Sequence, residues 1–145
     1  MLIRPVTPED SAEWLRLRQA LWHGPAGEHV AEIEAILAGT LPMGVYVVER
    51  PDGRLGGFVE VGTRSIAEGC ETSPVGYLEG WYMEADLRGR GVGAALIQTA
   101  EAWARDQGLS EMASDTWLDN DDGYRAHVAL GYTEVERIIC FRKQL

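Results

Sequence analysis

The stretch that most constrains this chain is Arg88-Gly89-Arg90-Gly91-Val92-Gly93, which joins a strand-like run, Val75 to Met83, to the helical pattern Val92, Ala95, Leu96, Thr99 and Trp103. A glycine loop entering a helix leaves several backbone N–H groups unengaged at the positive end of the helix dipole, which suits a phosphate. Gly91 and Gly93 carry no Cβ, so a diphosphate can approach the main chain, and Arg88 and Arg90 can add charge-assisted hydrogen bonds. The plainer reading is a helix start that needs a positive φ. Two nucleotide loops fit poorly. A Walker A loop ends in Gly-Lys-Ser/Thr, whereas this one reads Gly93-Ala94-Ala95. A dinucleotide loop follows the first strand of a parallel sheet and spaces its glycines differently from Gly89-x-Gly91-x-Gly93.

The rest of the chain supplies one core for that loop. Its 145 residues correspond to a single domain spanning 1–145. Hydrophobic residues make up 46% and charged residues 25%, enough apolar surface for a packed interior. With 23 Asp and Glu against 13 Lys and Arg, the formal charge is −10, a field that repels nucleic-acid backbones and attracts cationic small molecules. No apolar run reaches the ~20 residues of a membrane span, and Met1-Leu2-Ile3-Arg4 lacks the apolar centre of a signal peptide, so a cytoplasmic protein with neither nucleic-acid nor membrane partner is expected. Cys70 and Cys140 lie far apart, which argues against a zinc knuckle, a redox dithiol or a disulfide scaffold, and no metal is expected.

Along the chain, Leu2 to Val6 reads as a strand, and Thr7-Pro8-Glu9-Asp10 as a helix start. Trp14, Leu17 and Leu21 continue that helix to the Gly24-Pro25-Ala26-Gly27 break. Val30, Ile33, Ile36 and Leu37 mark a second helix capped at Gly39. Val45 to Glu49 and Leu55 to Val61 form a hairpin about Pro51-Asp52-Gly53. Residues 64 to 74 look irregular. Val75 to Met83 is a strand with Glu79 embedded among Tyr77, Leu78, Trp81 and Tyr82, and Gly108 closes the glycine-loop helix. Met112 to Thr116 reads as a strand, Asn120 to Leu130 as a helix capped by Gly131, and Tyr132 to Arg142 as one or two closing strands.

Arg88-x-x-Gly91-x-Gly93 after a strand and opening a long helix resembles the acyl-CoA loop of the GNAT N-acetyltransferase superfamily, and the order of elements agrees over almost the whole chain. The resemblance implies an α/β (α+β) fold, a mixed but mostly antiparallel twisted sheet flanked by about four helices, with acetyl-CoA as co-substrate. Within the superfamily the chain is similar to the aminoglycoside 6′-N-acetyltransferases at Trp14, Leu17-Arg18, Leu21-Trp22, Gly69-Cys70, Ser73-Pro74-Val75, Leu78-Glu79-Gly80 and Glu111-Met112-Ala113-Ser114-Asp115-Thr116. Two departures stand out: Ile66 where an aromatic is expected, and His23 where proline is usual. An environmental enzyme with a broader amine range fits those departures equally well.

That resemblance implies that acetyl-CoA lies along Trp81, Tyr82 and Met83, with its diphosphate on Arg88, Gly89, Arg90, Gly91, Val92 and Gly93. It also implies that Asn120 bonds the CoA arm or substrate, that Trp22 forms an apolar wall, and that Glu79, Asp115 and Glu136 contact substrate amines or hydroxyls. Charge-assisted bonding of ammonium groups to carboxylates gives the last assignment a physical basis. The plainer alternatives are an ion pair of Glu79 with Arg64 or Arg88, a turn role for Asp115, and a core role for Trp22. Because neither cysteine joins a nucleophilic constellation, direct attack in a ternary complex is expected, with Glu79 or Asp115 taking the ammonium proton and His127 a candidate to protonate the thiolate. The resemblance further suggests a homodimer in which terminal strands exchange or pair, bringing Glu136 near a neighbouring site. Competing readings are a GNAT enzyme for a polyamine, a protein N-terminus or a lysine, and a non-catalytic acyl-CoA-binding module.

Overall fold

A computed structural model describes residues 1–145. The chain forms β1 (Leu2–Pro5), a 3-10 turn at Pro8–Asp10, α1 (Ser11–Leu21), α2 (Ala26–Leu37), β2 (Gly44–Glu49), β3 (Leu55–Arg64) and β4 (Val75–Met83). After a second 3-10 turn at Ala85–Leu87 come α3 (Val92–Asp106), β5 (Met112–Ser114) and α4 (Asp121–Ala129). Local chemistry sets these boundaries. The Asp10 carboxylate accepts from the Thr7 amide at 2.8 Å, closing a capping box, and Arg4 forks onto the same carboxylate.

The strands lie in the order β1-β2-β3-β4-β5; the first three pairings are antiparallel, and β5 runs parallel to β4. Alternation of side chains divides the core between two faces. Trp14, Leu17, Ile33 and Ile36 of α1 and α2 cover Val45, Val47, Leu55 and Phe58. Leu96, Ile97 and Ala100 of α3 cover Val48, Val59, Val61, Leu78 and Met83 on the other side.

The α1 face also buries charge. Arg18 and Glu60 are 2% and 1% exposed and form a two-pronged ion pair at 2.7 and 3.0 Å. The Trp14 indole N–H donates to the same carboxylate at 2.9 Å, and Arg18 also donates to Glu32 and to Nδ1 of His29. The guanidinium lies 5.0 Å from the Trp22 ring centroid, and the His29 ring stacks on the same indole. A charge pair this deep holds only while both partners stay engaged.

Two features of the sheet position the site. Glu60 pairs with Gly80 but Val61 pairs with Leu78, so Glu79 is an extra residue, a β-bulge in the middle of β4. In addition, β5 pairs with β4 only at Gly76, Tyr77 and Leu78. From Glu79 to Met83 the outer edge of β4 has no strand partner, and the sheet opens there.

The closing strands expected over Tyr132 to Arg142 are absent. Beyond Tyr132 the chain makes no backbone-to-backbone hydrogen bond, and no helix or strand forms there. A strand needs a partner edge, and this tail runs without one, leaving Val135, Ile139 and Phe141 exposed. Its contacts are made by side chains: the Tyr124 hydroxyl donates to Glu134 at 3.0 Å, and Val135 packs where a Cβ on Gly69 would lie.

Arg18→Met should strand Glu60 as a buried, unpaired carboxylate and cost about 3–5 kcal/mol, whereas Arg18→Met with Glu60→Leu should recover much of the loss. Urea unfolding of the two variants beside the parent checks this.

Candidate active site

The opening in the sheet and the glycine loop adjoin. Gly91 is the residue before α3 and adopts φ 80°, with Gly89 at φ 73°. The amides from Gly89 to Ala94 find no acceptor within the chain. A Cβ built on Gly89 or Gly91 would meet nothing within 4 Å, so the space beside these glycines is open. At Gly93 a Cβ would stand 3.3 Å from the Trp81 ring and 3.4 Å from Met83, so this glycine lets α3 pack closely onto β4. Arg90 is exposed. Arg88 directs Nε to the Met83 carbonyl at 2.9 Å and lies 5.7 Å from the Tyr82 ring centroid. Open amides, a helix dipole and a flanking arginine fit a diphosphate.

On the bulge, Glu79 is gripped by Arg64, whose Nε and Nη2 donate to its two oxygens at 2.9 and 2.8 Å. The ion pair anticipated as the plainer alternative is therefore formed with Arg64 and not with Arg88. The Arg64 guanidinium lies 3.5 Å from the centroid of the Tyr77 ring. The Tyr77 hydroxyl donates to Oδ2 of Asp115 at 2.6 Å. Burial, and then that bond, push the Tyr77 phenol upward, so it remains a donor at neutral pH. Glu79, Arg64, Tyr77 and Asp115 thus form one linked chain of side chains. Oδ1 of Asp115 has no partner within it.

Trp22 follows α1 and rests on β4, where a Cβ on Gly80 would stand 2.4 Å from the indole. The indole therefore abuts the bulge and also packs against the α1-face core. Arg64, Tyr77, Asp115 and Glu136 line one groove of about 960 Å³ between β5, α4 and the tail. Glu136 reaches this groove within its own chain.

Two candidates make hydrogen bonds within the chain. Asn120 caps α4: its Oδ1 accepts from the Gly123 amide at 2.9 Å and its Nδ2 donates to Thr116 at 3.0 Å, so the amide is engaged within the chain. His127 sits between the Trp81 and Tyr132 rings, donating from Nδ1 to the Gly123 carbonyl at 2.6 Å. Its Nε2 lies 2.8 Å from the Ser114 hydroxyl oxygen. Both ring nitrogens are thus engaged within the chain. Ser114, Tyr77 and the bulge stand outside the candidates that the sequence offers. The signal for the bulge was Gly80, since a glycine inside a strand often marks one.

A sheet that opens after a mid-strand bulge, beside free amides at the start of a long helix, defines an acyl-CoA-dependent transferase. The chain belongs to the acetyltransferase (GNAT) family, whose profile matches residues 8–132. It is 46% identical over 147 residues to aminoglycoside N(6′)-acetyltransferase type 1 of Klebsiella aerogenes, covering 99% of this chain and 97% of that protein. The apo structure of aminoglycoside antibiotic 6′-N-acetyltransferase AAC(6′)-IG from Acinetobacter haemolyticus matches with a TM-score of 0.92 at 34% identity, over 100% of this chain and 99% of that one. AAC(6′)-Iy, solved in complex with the bisubstrate analogue CoA-S-monomethyl-acetylneamine, matches with a TM-score of 0.91 at 36% identity, over 99% and 98% of the two chains.

Gly91→Ala adds a methyl that touches nothing but must adopt the left-handed φ, at a cost of roughly 1–2 kcal/mol. The loop relaxes away from that φ, so calorimetry should show coenzyme A binding weakened roughly tenfold in a protein that keeps its fold.

Proposed function

We propose that this chain transfers the acetyl group of acetyl-CoA to the 6′-amine of an aminoglycoside, by direct attack in a ternary complex, and thereby confers resistance. The carrying observation is the juxtaposition of Glu79 and Asp115, linked through Arg64 and Tyr77, with the open edge of β4 and the amides of Gly89 to Ala94. The diphosphate rests on the loop from Arg88 to Gly93, the thioester arm lies along Trp81, Tyr82 and Met83, and a main-chain N–H there polarises the carbonyl. Trp22 walls the acceptor side.

Between the two carboxylates the geometry favours a division of roles. Both oxygens of Glu79 are taken up by Arg64, whereas Asp115 keeps Oδ1 free. Asp115 accepts the ammonium proton, directly or through water, and Glu79 and Glu136 hold further ammonium or hydroxyl groups. A thiol has a pKa of about 8.5, so the thiolate departs without an obligatory acid. His127 accordingly serves by tying α4 to Ser114, the neighbour of Asp115.

The chain acts as a homodimer, joined through its C-terminal segment, in the cytoplasm, where acetyl-CoA is available. Support for the dimer comes from unpaired backbone beyond Tyr132 and from the exposure of Trp117, Leu118, Ile139 and Phe141. An exposed apolar surface of this kind marks an interface.

Thiol release measured with kanamycin, spermidine and an N-terminal peptide tests the acceptor: kanamycin should be turned over most efficiently, and its inertness would refute the aminoglycoside reading. Asp115→Asn should lower kcat roughly a hundredfold, the scale of a lost general base, and Glu79→Gln should act mainly on the acceptor KM. Light scattering should give twice the chain mass for the parent, and the chain mass alone after Ile139→Asp and Phe141→Asp together.

A further inference from the structure

One cation in the groove stands where a cationic acceptor would not tolerate it. Arg64, the last residue of β3, donates to both oxygens of Glu79 and lies over the Tyr77 ring. The acceptor reading above requires those same oxygens for an ammonium group. A carboxylate already neutralised by a two-pronged guanidinium keeps spare lone pairs but offers a second cation far less electrostatic gain.

The side chains of Arg64 and Glu79 are 43% and 31% exposed, so the pair is solvated enough to open, unlike the sealed pair of Arg18 and Glu60. Each member also has somewhere to go. Arg64 is anchored at the exposed end of β3, beside the irregular segment that begins at Ser65, and can swing outward without disturbing the ladder. Glu79 sits on the bulge, its position set by β3 and by the Trp22 indole against Gly80, and not by the arginine. Asp115 keeps its own donor in Tyr77, so it stays oriented while the arginine moves.

We propose that Arg64 is a placeholder cation: in the free enzyme its guanidinium occupies the ammonium subsite on Glu79, and the acceptor must displace it to bind. This proposal rests on the polycationic acceptor of the reading above. The placeholder keeps the carboxylate partnered when no acceptor is present, and it sets a threshold. A single weak cation gains too little to evict a two-pronged arginine, whereas a polycation that also reaches Asp115 and Glu136 does so. Arg64 is thereby a specificity-determining residue that favours multiply charged acceptors.

The sign of the effect separates this role from support of Glu79. Arg64→Gln, which keeps a hydrogen-bonding side chain but no charge, should lower the acceptor KM about fivefold, the size of a partly exposed ion pair, and leave the KM for acetyl-CoA unmoved. Arg64→Lys, which restores a cation, should return the acceptor KM towards the parent value. In a Glu79→Gln background Arg64→Gln should have no effect on acceptor affinity, because the contested oxygens are gone. An acceptor KM that rises in Arg64→Gln would overturn the proposal, and so would a gain that persists without Glu79. Calorimetry with kanamycin and with spermidine needs no turnover and separates the two ideas. If kanamycin is inert as a substrate, the acceptor assignment fails, while tighter binding of either polycation to Arg64→Gln still supports the placeholder. Equal, weaker or undetectable binding of both to the variant overturns it.

Discussion

One extra residue in β4 organises the whole site. In a regular strand Leu78 and Trp81, three positions apart, would face opposite sides of the sheet. Here both pack against the α3 face, while Tyr77 and Tyr82 lie on the other side, and the bulge at Glu79 makes up the difference. The same irregularity coincides with the parting of β5 from β4 and puts a carboxylate where a plain alternation would call for an apolar group. The open edge and the embedded carboxylate are consequences of a single register shift.

Such a shift needs support, because a bulge weakens the ladder around it. The support is packed beneath it. Glu60 lies opposite Gly80, and its carboxylate collects Arg18 and the Trp14 indole. Arg18 in turn lies against Trp22, whose ring fills the space left by the missing side chain of Gly80. Removing charge from water this completely is expensive, and well-packed apolar groups can often replace such a pair. The arrangement is understandable if geometry, more than stability, is what it fixes: the pair locks the indole to the strand beside Glu79.

Much of this was legible in residue types and spacing. The glycine loop, the helix pair before the hairpin and the embedded acid at Glu79 all left local signals, because turns, caps and amphipathic periods depend on neighbours in sequence. What escaped depended on distant partners. Tyr77 meets Asp115 across thirty-eight positions, a pairing that only the sheet brings together, and the sheet also decides that Arg64, of the two arginines the sequence offers, is the one that reaches Glu79. The tail misled for a related reason. Its β-branched and aromatic residues carry strand propensity, but propensity describes fit to a pleated surface and supplies no partner edge. His127 and Asn120 show a further limit, since a polar side chain on a short helix can be engaged by the backbone of its own first turn.

The chain's negative charge invites the idea that its field alone selects cationic acceptors. At physiological ionic strength, however, screening acts over about 8 Å, so acids scattered over the surface steer approach more than they choose among ligands. Many of them are also neutralised locally: Glu13 by Arg16, Asp10 by Arg4, Glu84 and Asp86 by Arg50. At the site, Glu79 belongs to that neutralised class and Asp115 does not, although one chain of side chains joins them. Selection among amines therefore reduces to a local competition, in which the number and spacing of positive charges on the acceptor are weighed against one resident guanidinium.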